Sequence, residues 1–228
     1  MSLKQFLVVA VLVAGCGKHA PPEGPKTYTS YFGFTVQLSG EWLPLSPSQV
    51  AAANAEESLR SLGIDTTVDQ GTLNSILQRV KTGQVEFYFD RRTVGSDAQN
   101  NISAQLMPER DPLTEALVEE MCKGVPSQLS ALFGGAVPEV MACGLRRANT
   151  VGYVSYEYTV PALSYHVLQD EIPFNGSTLV VVGGTLDAGA VGRMTETQQA
   201  IVSGATKFVA EHPTTTSSGP SSIRPTGR

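Results

Sequence analysis

The sequence contains few of the residues from which catalytic and metal sites are commonly built. Its 228 residues include three histidines, three cysteines and one tryptophan. Only His166 lies inside the folded region, since His19 precedes it and His212 stands at its end. No phosphate-binding or dinucleotide-binding glycine pattern is present, and no Gly-x-Ser-x-Gly turn. We therefore predict no catalytic site, no metal and no cofactor, and we expect the protein not to be an enzyme.

Charged residues are also scarce. They make up 16% of the chain, with a formal net charge of −5. Because no basic field is available to attract phosphates, we do not expect nucleic acid as a partner. No apolar run reaches the roughly 18 residues that a transmembrane helix needs. The hydrophobic content of 41% is that of a globular chain, and the length suits a single domain.

The first fifteen residues have the composition of an export signal. Lys4 supplies a positive start, Phe6–Val13 form an apolar run, and Ala14 and Gly15 are small residues at its end. We predict that residues 1–15 are a signal peptide that is removed on export.

The next residue connects this leader to a known class of proteins. Val13-Ala14-Gly15-Cys16 resembles the lipobox of bacterial lipoproteins. The resemblance implies cleavage before Cys16 and a lipid anchor on its thiol, in which each buried methylene contributes about 0.8 kcal/mol. Gly17, where some hosts use aspartate for inner-membrane retention, favours the periplasmic side of the outer membrane in a Gram-negative host. The alternative is an ordinary secretory leader that happens to contain a cysteine.

Composition divides the remaining chain into three parts. Residues 16–26 are predicted to be a tether, because the proline-rich Ala20–Pro25 favours an extended, semi-rigid chain. Residues 27–210 are predicted to be a single domain without internal repeats. Residues 211–228 are rich in Thr, Ser, Gly and Pro, which predicts a disordered tail.

Hydrophobic periodicity predicts both helices and strands in the domain. The predicted helices cover residues 47–62 and 72–81, a stretch from Asp111-Pro112 that is bent or interrupted near Gly124 and Pro126, and a last segment from Thr195 with Gln198 in a capping box. The predicted strands cover residues 31–38, 85–90 and 101–106, followed by four strands in succession that include 163–172 and 177–186. Asn175-Gly176 predicts a tight hairpin between these last two, and the apolar Leu179–Val182 predicts a strand in the middle of the sheet.

This order of elements predicts an α+β domain with a largely antiparallel sheet. The run Gly33–Val36 leading to Trp42, the strand at Asn101-Ile102, the long middle helix, the four-strand run and the closing helix together resemble the Mog1/PsbP-like fold. The resemblance implies a sheet covered by helices in an α/β/α sandwich. It also implies a protein that binds or stabilises other proteins, since the family has no common catalytic site.

Several side chains can be assigned to the core or the surface. Cys122 and Cys143 leave two interpretations open, a disulfide that closes a loop of roughly 20 residues or two separate buried thiols. Alternation places Tyr156 and Tyr158 in the core, and Trp42 is predicted to be a core anchor. Tyr88 shares its face with Glu86 and Asp90, which predicts an exposed ring. The acidic residues predict a solvated helix face, with a docking patch or weak calcium site as the alternative; they are Glu109, Asp111, Glu115, Glu119 and Glu120.

Together these features favour a non-catalytic, lipid-anchored protein of the cell envelope that binds an unidentified protein partner. Two alternatives remain open at this point. One is a small-ligand-binding protein, and the other is an envelope hydrolase with an unfamiliar site around His166.

Overall fold

The structure is a computed structural model that describes residues 23–52, 70–93, 100–108 and 112–213. Within these ranges the strands are β1 (Glu23–Thr29), β2 (Thr35–Gly40), β3 (Trp42–Leu45), β4 (Val85–Asp90), β5 (Asn101–Pro108), β6 (Glu139–Ala148), β7 (Val151–Val160), β8 (Tyr165–Phe174) and β9 (Ser177–Thr185). The α-helices are α1 (Pro47–Ala52), α2 (Gln70–Lys81), α3 (Glu115–Leu132) and α4 (Val191–Glu211).

Seven of the strands form one antiparallel sheet in the order β3-β4-β5-β9-β8-β7-β6. The other two, β1 and β2, form a separate antiparallel hairpin. This hairpin and α4 cover one face of the sheet, while α2 and α3 lie on the opposite face. The predicted α+β class, with a largely antiparallel sheet between helices, is therefore confirmed.

The second half of the sheet agrees closely with its prediction. Strands β6 to β9 follow one another as neighbours, and β8 and β9 join at Asn175 and Gly176, whose φ angles of 48° and 75° suit the expected tight turn. Strand β9 is the fourth of the seven, and Thr178–Val181 are buried in it. The strand that carries the apolar run Leu179–Val182 thus lies in the middle of the sheet, where both of its faces are covered.

The beginning of the fold differs from the prediction. Strand β1 starts at Glu23, inside the segment 16–26 that the sequence predicts to be a tether, and it pairs with β2 as far as Thr29 opposite Thr35. Proline is tolerated in a sheet at edges and bulges, and Pro25 lies in β1 where the register shifts between Glu23 and Lys26. The ordered domain therefore starts before residue 27. Residues 1–22, with Cys16, and residues 214–228 lie outside the described part.

The helices differ mainly at their ends. Helix α3 begins at Glu115, because Thr114 is its N-cap and accepts a hydrogen bond from Leu117 N at 3.2 Å, and it continues through Pro126 without interruption. Helix α4 begins at Val191 rather than at Thr195, and its last residue, Glu211, falls in the predicted tail. Helix α2 confirms the prediction for 72–81. Only Pro47–Ala52 of the predicted helix 47–62 are described.

Two apolar cores hold these layers together. Between α4, the hairpin and the sheet, the largest buried side chains include Phe34, Ile102, Ile172, Met194 and Ile201. Between α3 and the sheet, the core includes Val118, Leu129, Val154, Tyr156 and Tyr158. Tyr156, Tyr158 and Trp42 are all buried, as predicted. No described helix combines the length and apolar character needed to cross a membrane.

Candidate functional site

The structure brings together one of the predicted sets of residues. Cys122 on α3 and Cys143 on β6 form a disulfide, with their Cα atoms 5.7 Å apart. Of the two interpretations left open by the sequence, the structure has the disulfide. The bond fastens α3 to β6, which is the last strand at one end of the sheet.

The other candidate residues do not assemble into a site. His166 lies half-buried on β8 opposite Thr159 and Thr185, and no hydrogen bond or ion pair joins it to another described side chain. Glu119 is exposed on α3 and pairs with Lys123 at 2.7 Å, whereas Glu109 and Asp111 lie outside the described residues. Within the described ranges, no group of three or more His, Cys, Asp or Glu side chains could hold a metal ion.

The predicted exposure of Tyr88 is wrong. Tyr88, Glu86 and Asp90 share one face of β4, as expected, but all three are at most 1% exposed because the β1–β2 hairpin and α4 cover this face. Polar alternation alone could not reveal this, because the covering residues lie more than 50 positions away in the chain, upstream in the hairpin and downstream in α4.

Glu86 is the centre of a buried hydrogen-bond cluster beneath the hairpin. Its Oε2 accepts from Ser30 Oγ at 2.6 Å and from Tyr88 OH at 2.9 Å. Its Oε1 accepts from Tyr28 OH and from Tyr31 N, the latter at 3.2 Å. These four donors take up the roughly four acceptor positions of a carboxylate. Glu86 therefore has a structural role, because no acceptor position is left for a substrate.

The two tyrosines of this cluster are held in the protonated form that donates to Glu86. Burial raises the pKa of Tyr28 well above its usual range, and the charge of Glu86 raises it further. The same two causes, in the same order, raise the pKa of Tyr88. The hydroxyls thus remain donors throughout the pH range in which proteins fold.

A second buried carboxylate, Asp170 on β8, lies beneath α4. Gln198 donates from Nε2 to Asp170 Oδ2 at 2.7 Å and to the Val181 carbonyl at 3.3 Å. Gln198 is therefore a buried bridge to the sheet rather than part of a capping box. Gly183 makes room for it, because a Cβ there would overlap Gln198 Oε1. Burial raises the pKa of the Asp170 carboxyl, although hydrogen bonds from Gln198 and Ser155 and the charge of Arg146 oppose that shift.

Asp170 is expected to make the protein less stable as pH rises. A raised pKa means that the native state holds this proton more tightly than the unfolded chain, so the contribution is full below the ordinary value of about 3.9 and is lost as pH rises through the folded-state pKa. Asp170→Asn removes this dependence. Urea titrations at several pH values from about 4 to 8 give the free energy of unfolding of both proteins. The value for the variant minus that for the wild type should increase as pH rises. A difference that stays constant over this range contradicts the assignment.

Polar side chains also cross the middle of the sheet on the α2/α3 face. Ser103 and Gln105 of β5 lie opposite Val182 and Val180 of β9, and Gln169 and Glu171 of β8 lie opposite the same valines from the other side. Residues that oppose each other in antiparallel strands point to the same face. Arg79 of α2 reaches this row and donates to Gln105 Oε1 at 2.7 Å. We call these five residues, Arg79, Ser103, Gln105, Gln169 and Glu171, the polar strip.

The polar strip could not be recognised from the sequence, because its strands have the pattern of a half-exposed sheet. Ser103 and Gln105 alternate with Ile102 and Ala104, which is the pattern of a strand with one solvated face. The structure buries both faces, so the polar residues lie inside. Nothing local in β5 distinguishes these two arrangements.

The outer edge of β6 is the other feature that could contact a ligand or partner. Its inner edge pairs with β7, and in the described part of the chain no strand pairs with its outer edge. A register shift between Val140 and Ala142 makes Met141 a bulged residue, 63% exposed, and Val137 just before the strand is 72% exposed. Arg146 and Arg147 are exposed near its other end.

Comparison with known proteins gives similarity in structure only. No protein-family model matches this chain, and no curated protein matches it at a significant level. The solution structure of cyanobacterial PsbP from Synechocystis sp. PCC 6803 is similar with a TM-score of 0.46 and 11% identity, over 84% of this chain and 96% of that one. The Ran-binding protein Mog1p of Saccharomyces cerevisiae is similar with a TM-score of 0.43 and 10% identity, over 83% and 91%.

A third solved structure belongs to another class of protein. The T6SS immunity protein TplEi of Pseudomonas aeruginosa, solved with an "L" peptide, has a TM-score of 0.41 and 10% identity, over 82% of this chain and 100% of that one. PsbP and Mog1p are the proteins after which the fold predicted from the sequence is named. With TM-scores below 0.5 and identities of 10–11%, these similarities assign no role to this chain.

Proposed function

We propose that this protein is exported, anchored by lipid on Cys16 at the periplasmic side of the outer membrane of a Gram-negative cell, and binds another envelope protein without catalysing a reaction. The proposed export and lipid anchor are supported by the leader Lys4–Gly15 and the Val13–Cys16 pattern. The binding role is supported chiefly by one observation, the open outer edge of β6.

An open strand edge is a ready template for another extended chain. It presents a row of unpaired backbone N–H and C=O groups, and natural sheets cover or disrupt such edges unless they are used. The bulge at Met141 disrupts only the start of β6, and Ala142–Ala148 stay in regular register with β7. The Cys122–Cys143 disulfide holds this strand against α3. A strand that is already rigid loses little entropy when a partner pairs with it.

The side chains around this edge select the kind of partner. Arg146 and Arg147 are exposed at one end, and Met141 and Val137 are exposed apolar side chains at the other. The expected occupant is an extended segment of a partner protein that carries acidic residues opposite the arginines and apolar residues opposite Met141. A second copy of this chain is a less suitable partner. Pairing of its β6 with this β6 would bring the arginines of both copies to the same interface, where like charges repel.

Photo-crosslinking in cells tests this binding mode directly. A photoreactive amino acid at position 141 is expected to trap one envelope protein, and the double substitution Arg146→Glu and Arg147→Glu should reduce the adduct at least tenfold. The matched control carries the probe at Leu163, which is 50% exposed on a different part of the surface. Equal adducts at both positions, or adducts unaffected by charge reversal, contradict binding at the β6 edge.

The anchor is tested in the same cells. Cys16→Ser should move the protein from the membrane fraction to the soluble fraction and weaken the adduct at position 141, because the two partners are no longer held at one surface. If the variant fractionates with membranes as the wild type does, the lipid anchor is wrong, whatever the crosslinking result.

A further inference from the structure

Two neighbouring loops at one end of the seven-stranded sheet contain no charged residue. One is the stretch 133–138 between α3 and β6, and the other is the stretch 161–164 between β7 and β8. Phe133 joins them, because its ring packs against those of Tyr158 and Tyr165, with centroids 6.4 Å and 6.3 Å apart. These two tyrosines lie on β7 and β8, close to where the second loop leaves and re-enters the sheet. We call the two stretches the uncharged loops.

The uncharged loops present apolar side chains to their surroundings. Val137 is 72% exposed and Leu163 is 50% exposed. Glycines, a proline and an alanine next to them are exposed as well, namely Gly134, Gly135, Pro161 and Ala162. Large apolar side chains that are exposed together mark a contact with a protein or a membrane. Because neither loop carries a charge, moving it into an apolar environment desolvates no ionised group.

The end of the sheet that carries these loops is also the end at which β1 begins. The strand registers lead from Thr159 of β7, across β8, β9, β5 and β4, to Trp42 at the start of β3. Gly40 lies two residues before Trp42 and is opposite Glu23. Glu23 is therefore within about 12 Å of Trp42 at ordinary chain and strand spacings. The start of β1 and the uncharged loops thus face the same side of the domain.

The chain that precedes β1 is too short to allow any orientation of the domain on a membrane. The seven residues from Cys16 to Pro22 span at most about 25 Å when fully extended. The nine residues of β9 already extend about 27 Å from this end of the sheet to the other. With lipid on Cys16, the end near Glu23 is the one held next to the bilayer. This step rests on the lipid anchor of the proposed function.

We propose that the uncharged loops contact the bilayer surface, with Val137 and Leu163 inserted between the lipid headgroups. Two inserted side chains bind a bilayer only weakly by themselves. The anchor holds them at the surface, however, and a tethered contact forms at a much higher effective concentration than a free one. The domain then stands on the membrane by one end of its sheet. Met141 lies on the β6 edge rather than on these loops, so the proposed protein partner can bind at the same time.

Fluorescence quenching in vesicles tests this contact. The lipidated protein is purified with Leu163→Cys and labelled there with a fluorophore; no other thiol reacts, because Cys16 carries lipid and Cys122 is bonded to Cys143. The vesicles contain phosphatidylethanolamine and phosphatidylglycerol, with a nitroxide quencher on some acyl chains. The matched control is Leu106→Cys, since Leu106 is 41% exposed and lies toward the other end of the sheet. The label at position 163 should be quenched at least about twofold more strongly than the label at 106.

Substitution of Val137 shows whether insertion causes the quenching. Val137→Asp places a charge at the bilayer, which is unfavourable, and should reduce quenching at position 163 to the level at 106. Val137→Leu is the matched control and should keep it. Because Val137 is so exposed, neither variant should unfold at a different Tm from the wild type. If Val137→Leu lowers the quenching as much as Val137→Asp does, the effect is not one of charge and the proposal is overturned.

Mass spectrometry separates this result from that of the proposed function. Protein without acyl chains on Cys16 overturns the anchor and, with it, the membrane contact. Lipidated protein in which positions 163 and 106 are quenched equally overturns the membrane contact alone. If a photoreactive residue at 163 then traps a protein in cells, the uncharged loops bind a partner protein instead of the bilayer.

Discussion

Replacement of Glu86 by alanine is expected to lower the free energy of unfolding by about 3–5 kcal/mol, since each buried donor that loses its acceptor costs about 1–3 kcal/mol. The substitution removes the acceptor of three hydroxyls and one backbone N–H at once, on Tyr28, Ser30, Tyr88 and Tyr31. Urea denaturation followed by circular dichroism measures the change.

Two further variants make this result specific. Glu86→Gln keeps the shape and one acceptor oxygen, so a smaller loss is expected than for alanine. Glu119→Ala removes an exposed carboxylate of α3, whose ion pair with Lys123 is largely solvated, and should change stability by less than about 0.5 kcal/mol. If Glu86→Ala is as mild as Glu119→Ala, the hairpin is not held to the sheet through this carboxylate.

Loss of the Cys122–Cys143 disulfide is expected to lower the free energy of unfolding by about 3 kcal/mol. The two cysteines are 21 positions apart, so the bond restricts a loop of moderate length in the unfolded chain. The change to make is the double substitution of Cys122 and Cys143 by serine, and the measurement is the urea midpoint with and without dithiothreitol.

The reductant provides the control for this prediction. Dithiothreitol should bring the wild-type midpoint close to that of the double variant and should leave the double variant unchanged. If the wild type keeps its midpoint although free-thiol titration shows complete reduction, the bond does not contribute to stability. A single substitution is a poorer test, because it leaves one reactive thiol.

The sequence was most informative where neighbouring residues determine the structure. The β8–β9 turn at Asn175-Gly176 and the central strand β9 could be located because turn chemistry and an apolar run act over a few residues. Strands β6 to β9 each pair with the next strand in the sequence, so their order in the sheet follows from the order in the chain. The pairing of β9 with β5 is the exception, because it joins strands that are distant in the sequence.

The prediction failed where distant segments cover a surface. Glu86 and Tyr88 have the alternation of a solvated face. The β1–β2 hairpin, through Tyr28–Tyr31, and α4 convert that face into an interior. The start of β1 was missed for a related reason. Its proline-rich composition favours an extended tether, and pairing with β2 is what makes the same extended backbone a strand.

The candidate sites, too, could be predicted from the sequence only as far as local residue patterns determine them. Cys122 and Cys143 could be named as a pair from their types, but their distance is set by the packing of α3 on β6, which sequence periodicity does not give. The polar strip combines residues of α2, β5 and β8, and its members become neighbours only through the registers of β9 with β5 and β8. A property that depends on several registers at once cannot be found in any one segment.

The β1–β2 hairpin also determines how the domain would respond to a mechanical load. Tension applied to the chain before Glu23 enters at the open end of the hairpin, where Glu23 lies opposite Gly40. In this geometry the β1–β2 hydrogen bonds are loaded one after another, which offers little resistance. As β1 separates from β2, the load reaches Tyr28, Ser30 and Tyr31. All three donate hydrogen bonds to the carboxylate of Glu86, so the load is shared among these bonds. The hairpin would therefore open at low force, and the hydrogen bonds to Glu86 would resist further opening before the force reaches the seven-stranded sheet.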